Sequence, residues 1–231
     1  MSAGGPDLEE RLRAVRDAIE RAAARAGRDP AGVRLVAATK GVAPEIVRQA
    51  VTLGITDLGE NRVQEAEAKI ATLGRIAAWH LIGPLQRNKA GRAVELFDEI
   101  QTVDRLELAE ALSRRAQAAA RALPVLVEVN VAMEAGKFGV TPEGLAALLG
   151  GARSLPGLEL RGLMTIGPRV ERPEEARGTF ARLRELRDRA RGALGLALGE
   201  LSMGMSGDFE VAVEEGATMV RVGSALFGPT A

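Results

Sequence analysis

The sequence contains no cysteine, no tyrosine and only one histidine, and these absences exclude several kinds of chemistry. Without cysteine there is no disulfide, no thiolate nucleophile and no cysteine-based metal site. The single histidine, His80, cannot supply a zinc site that needs several imidazole ligands. The lack of tyrosine also removes one common general acid or base. We therefore expect chemistry that depends on neither a metal ion nor a thiol.

The charge of the chain is balanced, with 31 basic and 31 acidic residues. A protein without a field of one sign has no general attraction for nucleic acid or for an anionic membrane surface. Residues 1–7 lack the basic segment and apolar run of a signal peptide, and no later apolar run approaches a membrane-spanning length. These patterns predict a cytoplasmic protein whose partner is a small molecule, with no nucleic acid and no membrane as partners.

A length of 231 residues without a Ser/Gly/Pro-rich linker predicts one domain over residues 1–231. Within residues 1–28, apolar side chains recur at helical spacing, with Asp7 placed to cap the helix and Gly27 placed to end it. We expect this extra N-terminal helix to pack on the rest of the fold.

After residue 28, short apolar runs alternate with helical segments, which is the pattern of repeated βα units and a parallel sheet. Eight such units predict an α/β fold, a single (β/α)8 barrel of the TIM type. The predicted strands are Val33–Thr39, Ile55–Gly59, Ala77–Ile82, Glu99–Val103, Val125–Val131, Glu159–Thr165, Glu200–Ser202 and Thr218–Gly223. The predicted helices cover residues 44–53, 61–73, 86–96, 105–122, 142–151, 173–191 and 208–216.

Lys40 directly follows the first predicted strand, and in such a barrel the chemistry belongs at the carboxyl ends of the strands. We expect its amine to rise from an apolar base at the barrel mouth, where burial favours the uncharged form that attacks an aldehyde. The chain has only four lysines and otherwise uses arginine, which does not deprotonate in this range. A lysine at this position therefore indicates a reactive amine, and a loop lysine without chemistry is the alternative.

Two Gly/Ser turns follow the seventh and eighth predicted strands, where barrels of this type favour a phosphate site. The first turn contains Ser206, and the second contains Gly223 and Ser224. Backbone N–H groups and hydroxyls of such turns suit phosphate oxygens. Each turn alone is more typical of simple chain reversal, but the two together favour a phosphate cup.

Arg221 lies between two valines of a predicted buried strand, where an unpaired charge is costly. It either forms an ion pair with a carboxylate such as Glu60 or Asp57, or it faces a ring nitrogen of a ligand. The sequence leaves both interpretations open. An arginine that faces a pyridine nitrogen discourages protonation there, so carbanion chemistry would be weakly supported.

Three further side chains lie near predicted strand ends. Asn61 either bonds a ring hydroxyl or caps the helix that follows it. Met164 is expected to be a packing residue beneath the ring of a bound ligand. His80 is expected to be a core histidine with satisfied hydrogen bonds rather than a proton carrier.

Six sequence runs, which together span nearly the whole chain, resemble the pyridoxal 5′-phosphate (PLP) homeostasis family, relatives of the barrel domain of bacterial alanine racemase. The runs are LVAATK at 35–40, GENRVQE at 59–65, WHLIGPLQRNK at 79–89, RGLM at 161–164, LSMGMS at 201–206 and VRVGSALFG at 220–228. The resemblance implies that PLP is held as an internal aldimine on Lys40 and that Arg221 meets the pyridine nitrogen. It also implies that Ser206, Gly223 and Ser224 bind the phosphate.

The implied function is that of a carrier or regulator of PLP in vitamin B6 homeostasis, without an established reaction of its own. We expect a monomer, with PLP-dependent apo-enzymes as recipients of the PLP. Two residues depart from the family pattern, because Arg62 stands where Tyr is frequent and Gly207 stands where an acidic residue is common. Both departures affect loop detail rather than the imine. Lys89 and Lys137 are candidates for transient contact with PLP, or simple surface charges.

A PLP-dependent amino-acid racemase or lyase is the main alternative. Racemisation of the alanine racemase type needs a lysine and a tyrosine on opposite faces of the substrate, and this chain has no tyrosine. A different second base, such as His80, stays open. A third interpretation is an aldolase that forms a lysine imine with a sugar phosphate, but its lysine usually lies late in the barrel.

Overall fold

The computed structural model describes residues 7–228, and its sheet is a closed parallel barrel in which each strand pairs with the next. β1 also pairs with β8, which closes the barrel. The strands are β1 (Arg34–Ala38), β2 (Asp57–Glu60), β3 (Ala78–Leu81), β4 (Glu99–Val103), β5 (Leu123–Glu128), β6 (Leu158–Met164), β7 (Glu200–Ser202) and β8 (Met219–Val222). The predicted α/β barrel with eight strands is therefore confirmed.

The helices follow the strands in the predicted order. They are α1 (Leu8–Arg25), α2 (Pro44–Thr52), α3 (Val63–Leu73), α4 (Ala90–Leu96), α5 (Leu106–Ala118), α6 (Leu145–Ala152), α7 (Arg177–Leu194), α8 (Phe209–Glu214) and α9 (Ser224–Phe227). Short 3₁₀ turns at Arg87–Lys89 and Pro173–Ala176 occupy the first residues of two predicted helices, so α4 and α7 begin later than expected.

The largest difference from the predicted strands is in β5, which ends at Glu128 rather than Val131. Beyond Glu128 the chain leaves the barrel wall, because the Asn130 N–H donates to the Val140 carbonyl and the Val140 N–H donates to the Glu128 carbonyl. A strand pattern continues through this stretch of sequence, and only the pairing with Val140 shows that the chain has turned.

Helix α1 lies outside the barrel and packs on α8 and α9. The Asp7 carboxylate accepts a hydrogen bond from the Glu10 N–H at 2.9 Å, as predicted for its cap. At the other end, Gly27 has a φ of +64°, which favours glycine and ends the helix as predicted. The predicted absence of a signal peptide falls on residues 1–7, of which 1–6 lie outside the described residues.

The strands are apolar because both of their faces are covered, the inner by the barrel core and the outer by the helices. Close packing of β6 on β7 requires glycine at position 162, since a Cβ there would lie 1.9 Å from the Glu200 carbonyl oxygen. Among residues 7–228, the helices are too short or too polar to cross a membrane.

His80 lies in a buried polar cluster near the amino ends of the strands. Its Nε2 is 2.8 Å from Asp57 Oδ1 and its Nδ1 is 3.2 Å from Glu99 Oε1. Burial lowers the pKa of His80, but the hydrogen bonds and attraction between its ring and these two carboxylates outweigh burial and raise the pKa to about 9. Arg34 adds a cation to the same cluster, 3.7 Å from Asp57 and 3.6 Å from Glu99. The interpretation of His80 as a satisfied core histidine is confirmed.

Candidate functional site

Lys40 lies two residues beyond the end of β1, and the backbone before it is firmly held. Thr39 is fully buried; its N–H donates to the Gly59 carbonyl at 2.9 Å, and its hydroxyl donates to Glu60 Oε1 at 2.6 Å. The Lys69 ammonium donates to the Thr39 carbonyl and to Glu60 Oε1, each at 2.5 Å. This buried group of three residues fixes the base from which Lys40 projects.

The Lys40 side chain itself is exposed, so the expectation of a buried amine is wrong. The turn after β1, closed by a hydrogen bond from the Val42 N–H to the Thr39 carbonyl, carries Lys40 out to the barrel mouth. There it lines a cavity of about 390 Å³. The protein therefore fixes where this amine lies but leaves it exposed to solvent.

The two predicted Gly/Ser turns meet at one atom of this cavity. Ser206 Oγ accepts hydrogen bonds from the backbone N–H groups of Gly223 and Ala225, both at 3.2 Å. Ser206, Gly223 and Ser224 all line the cavity. Backbone N–H groups that converge beside a hydroxyl suit a phosphate, because hydrogen bonds to its negatively charged oxygens are stronger than hydrogen bonds to neutral acceptors.

The first of these turns depends on a glycine. Gly204 has a φ of +94°, and a Cβ there would lie 2.5 Å from Ala212 Cβ and 2.9 Å from Phe209 Cα. The Met205 N–H then donates to Asp208 Oδ1 at 2.6 Å, which ties the turn to the start of α8. The loop that carries Ser206 is therefore fixed at both ends.

Arg221 reaches the same cavity from β8, although only 4% of the residue is exposed. Burial lowers its pKa to about 10, against the opposing effect of Glu128 and Asp208, so it stays a cation at neutral pH. Its guanidinium donates to Ser202 Oγ at 2.7 Å and to the Thr165 carbonyl at 2.9 Å.

The predicted alternative, an ion pair of Arg221 with Glu60 or Asp57, is contradicted. Glu60 pairs with Lys69, and Asp57 pairs with His80 and Arg34. The side-chain hydrogen bonds of Arg221 go to neutral oxygens instead, which leaves its charge available to a ligand.

A column of buried hydrogen bonds continues from Arg221 through the barrel. The Ser202 hydroxyl donates to Gln101 Oε1 at 2.7 Å, and Gln101 Nε2 donates to Glu99 Oε1 at 2.9 Å. Glu99 belongs to the His80 cluster at the amino ends of the strands. The side chain that faces the cavity is therefore oriented by a network that extends to the opposite end of the barrel.

Asn61 and Met164 differ in where they lie. Asn61 lines the cavity, and α3 begins at Val63 with Arg62 in the N-cap position, so Asn61 does not cap this helix. Met164 is fully buried and is not part of the cavity lining. The residue of this segment that does reach the cavity is Ile166.

Several residues of the site were missed by sequence reasoning. Ala38, Ile82 and Met205 line the cavity, and Ser202 and Gln101 orient Arg221. Ser202 and Gln101 could have been found as polar residues inside otherwise apolar strands. The cavity-lining apolar residues give no such signal, because they look like core residues in the sequence.

Residues 11–231 match the family model described as alanine racemase, N-terminal domain. A pyridoxal phosphate homeostasis protein of Aquifex aeolicus is 45% identical over 220 residues, with 95% of this chain and 96% of the relative covered. One of Pseudomonas aeruginosa is 46% identical over 223 residues, with 96% and 95% covered.

One related protein has been solved with a ligand bound. PipY of Synechococcus elongatus PCC7942, solved with PLP bound, is 38% identical, with 96% of this chain and 100% of that chain covered and a TM-score of 0.84. The similarity to these proteins extends over the whole barrel. The chain belongs to the alanine racemase N-terminal domain family and, within it, to the pyridoxal phosphate homeostasis proteins.

Proposed function

We propose that this protein binds PLP at the carboxyl end of its barrel and serves PLP homeostasis as a carrier, without a reaction of its own. The observation that carries the proposal is the convergence of three kinds of group on one cavity: the Lys40 amine, the Arg221 cation and the Ser206 turn. A ligand with an aldehyde, a ring nitrogen and a phosphate would use all three. The names of the relatives, and the PLP in PipY, support the same ligand.

The residues present fit PLP by the chemistry of their donors. The turns around Ser206 offer N–H donors for a phosphate, and the Gly223 backbone lies so close to β1 that a Cβ there would be 3.2 Å from the Ala38 carbonyl oxygen. Glycine at this position keeps the backbone within reach of a ligand. When bound, PLP supplies an aldehyde carbon that joins reversibly to an amine.

Each residue would then have a distinct role. Lys40 provides the amine that anchors the ligand, and Ser206, Gly223 and Ser224 hold the phosphate. Arg221 stays protonated and would disfavour a proton on the ring nitrogen of the ligand. Asn61, which lines the cavity, would bond the ring hydroxyl through its amide.

The lack of a tyrosine base supports a carrier rather than an enzyme of the alanine racemase type. The chain contains no tyrosine, and His80 lies between two carboxylates near the amino ends of the strands, outside the cavity lining. Arg221 also weakens the electron-withdrawing power of the ring. We further propose that residues 1–231 act as one domain and as a monomer, with PLP-dependent apo-enzymes as recipients.

A panel of amino acids separates the carrier from a racemase or lyase. We expect the PLP-loaded protein to convert none of them faster than free PLP does, because the chain has no tyrosine and His80 lies outside the cavity lining. Chiral chromatography and product analysis after prolonged incubation measure this. Turnover well above that of free PLP would favour the enzyme.

The phosphate cup is tested by Ser206→Ala. Loss of a hydrogen bond to a charged group costs about 2 kcal/mol, so we expect PLP to bind roughly thirtyfold more weakly. Absorbance titration with PLP measures the affinity. Ser154→Ala is the matched control, since Ser154 is exposed in the turn between α6 and β6. Equal affinities of the two variants would contradict the assigned role of Ser206.

A further inference from the structure

The large apolar side chains that are exposed concentrate at the barrel mouth. Of the six such residues within 7–228, four lie in the loops after β5, β6 and β7: Met133, Phe138, Ile166 and Met205. Phe138 is 56% exposed and Met133 is 61% exposed. Apolar groups that are clustered in this way mark a contact surface rather than chance exposure.

A second, smaller cavity of about 170 Å³ lies beside the first. Ile82 and Ile166 line both cavities, so the two are neighbours at the same mouth. Glu128, Lys137 and Phe138 are among the other lining residues of the smaller cavity. Its volume is that of roughly six water molecules, which is enough for the end of a lysine side chain.

Glu128 gives this cavity its chemical character. Only 3% of the residue is exposed, and its carboxyl receives no hydrogen bond from the residues that the structure describes. Burial, with a further contribution from the charge of Asp104, raises the pKa of Glu128 to about 7, while Arg221 opposes the shift. A buried carboxyl that receives no hydrogen bond is suited to bind an incoming cation, which would supply the missing donors.

The loop that carries Met133 and Phe138 is built to hold its shape. Asn130 Nδ2 donates to the Glu134 carbonyl at 3.0 Å, and the Glu134 N–H donates back to Asn130 Oδ1 at 3.2 Å. Met133 has a φ of +53°, a left-handed conformation that non-glycine residues rarely adopt. The apolar side chains are thus presented outward by a loop whose base is fixed.

We propose that this mouth is the docking surface for a recipient protein, with Met133 and Phe138 contacting that protein and Glu128 meeting the ammonium group of a lysine that it presents. The inference rests on the proposed carrier function and names the recipient by its chemistry. A carboxylate under an apolar rim complements a lysine that projects from an apolar protein surface. A free small amine would use Glu128 but would gain nothing from Met133 and Phe138.

Exchange of one lysine for another needs no oxidant or reductant. The incoming ammonium group would give one proton to the Glu128 carboxylate, and its nitrogen would replace the Lys40 nitrogen in the C=N bond to the aldehyde carbon of PLP. The two remaining protons pass to the Lys40 nitrogen. Glu128 thus accepts a proton in the smaller cavity, where Asp104 and Arg221 act on its charge and Lys137 is another lining residue.

The test measures transfer from the PLP-loaded protein to the apo form of a PLP-dependent aminotransferase, followed by the recovery of aminotransferase activity. We expect Phe138→Ser to slow transfer about tenfold, the loss typical of removing an aromatic contact from an interface. Ile46→Ser is the matched control, because Ile46 is 40% exposed on α2 and lines neither of the two cavities, so it should leave transfer unchanged. Spontaneous release of PLP into buffer is measured for each variant.

Glu128→Gln keeps the size of the side chain but removes its charge. We expect its transfer rate to fall below that of the unsubstituted protein above pH 7, where Glu128 is ionised, and to match it near pH 5. Addition of ethylamine instead of the apo-enzyme tests the small-amine occupant. Phe138→Ser should not alter the response to ethylamine.

The outcomes separate the two proposals. If absorbance titration shows that the unsubstituted protein takes up no PLP, the carrier function fails and the docking surface fails with it. If PLP uptake is normal but transfer proceeds at the rate of spontaneous release, or is equal in Phe138→Ser and Ile46→Ser, the docking surface alone is overturned.

Discussion

Replacement of Lys40 by alanine is expected to abolish the absorbance band of covalently attached PLP while leaving the protein folded. Among the residues that line the cavity of about 390 Å³, Lys40 is the one with an amine. Lys69 is buried nearby, and its ammonium group already donates to Glu60 and to the Thr39 carbonyl. Because Lys40 is exposed and follows the end of β1, its truncation should change the free energy of unfolding by less than about 0.5 kcal/mol. Absorbance titration and urea unfolding measure the two quantities.

Lys89→Ala is the control for this variant, since Lys89 lies in the short turn before α4 and does not line the cavity. Its band should be retained. An unchanged band in Lys40→Ala would show that another amine anchors the ligand, and loss of the band in both variants would point to an indirect effect.

Replacement of His80 by leucine is expected to cost about 3–5 kcal/mol of unfolding free energy at pH 7. The substitution removes the cation between Asp57 and Glu99 and leaves these two carboxylates in a buried site beside Arg34. An unpaired buried charge is costly because the interior cannot replace the hydration that the group loses. Urea unfolding of both proteins measures the difference.

The effect of His80→Leu should depend on pH in a direction set by the raised pKa of His80. The folded protein holds the His80 proton up to about pH 9, whereas the unfolded chain releases it near the ordinary value of 6.5. The stability that the imidazolium contributes is therefore fully present below pH 6.5 and is lost as the pH rises through 9. A difference between the two proteins that stays below 1 kcal/mol, or that grows between pH 7 and pH 10, would contradict this assignment.

The barrel could be predicted from the sequence because its signals are periodic and repeated. Short apolar runs predict the eight strands, and the longer amphipathic segments between them predict the seven helices that join them. The end of β5 could not be predicted, since Val129 and Val131 continue the strand pattern and only the distant Val140 diverts the chain.

The candidate site could be predicted where a residue type at a strand end indicates a particular chemistry. Lys40, Arg221 and the Gly/Ser turns stand out as chemistry-bearing residues at strand ends, and the structure brings them to one cavity. The exposure of Lys40 was not predictable, because the direction of a side chain after a strand depends on the turn that follows. The position of Met164 outside the cavity lining and the separate cavity at Glu128 likewise depend on how neighbouring loops pack.

The central claim, that Lys40 is the amine that carries PLP, is tested most directly by borohydride reduction of the PLP-loaded protein. Borohydride converts a C=N bond into a stable C–N bond, so the attached lysine can be identified by proteolysis and peptide mass analysis. We predict a pyridoxyl group on the peptide that contains Lys40. A pyridoxyl group on Lys69, Lys89 or Lys137 instead, or on no peptide at all, would contradict the claim.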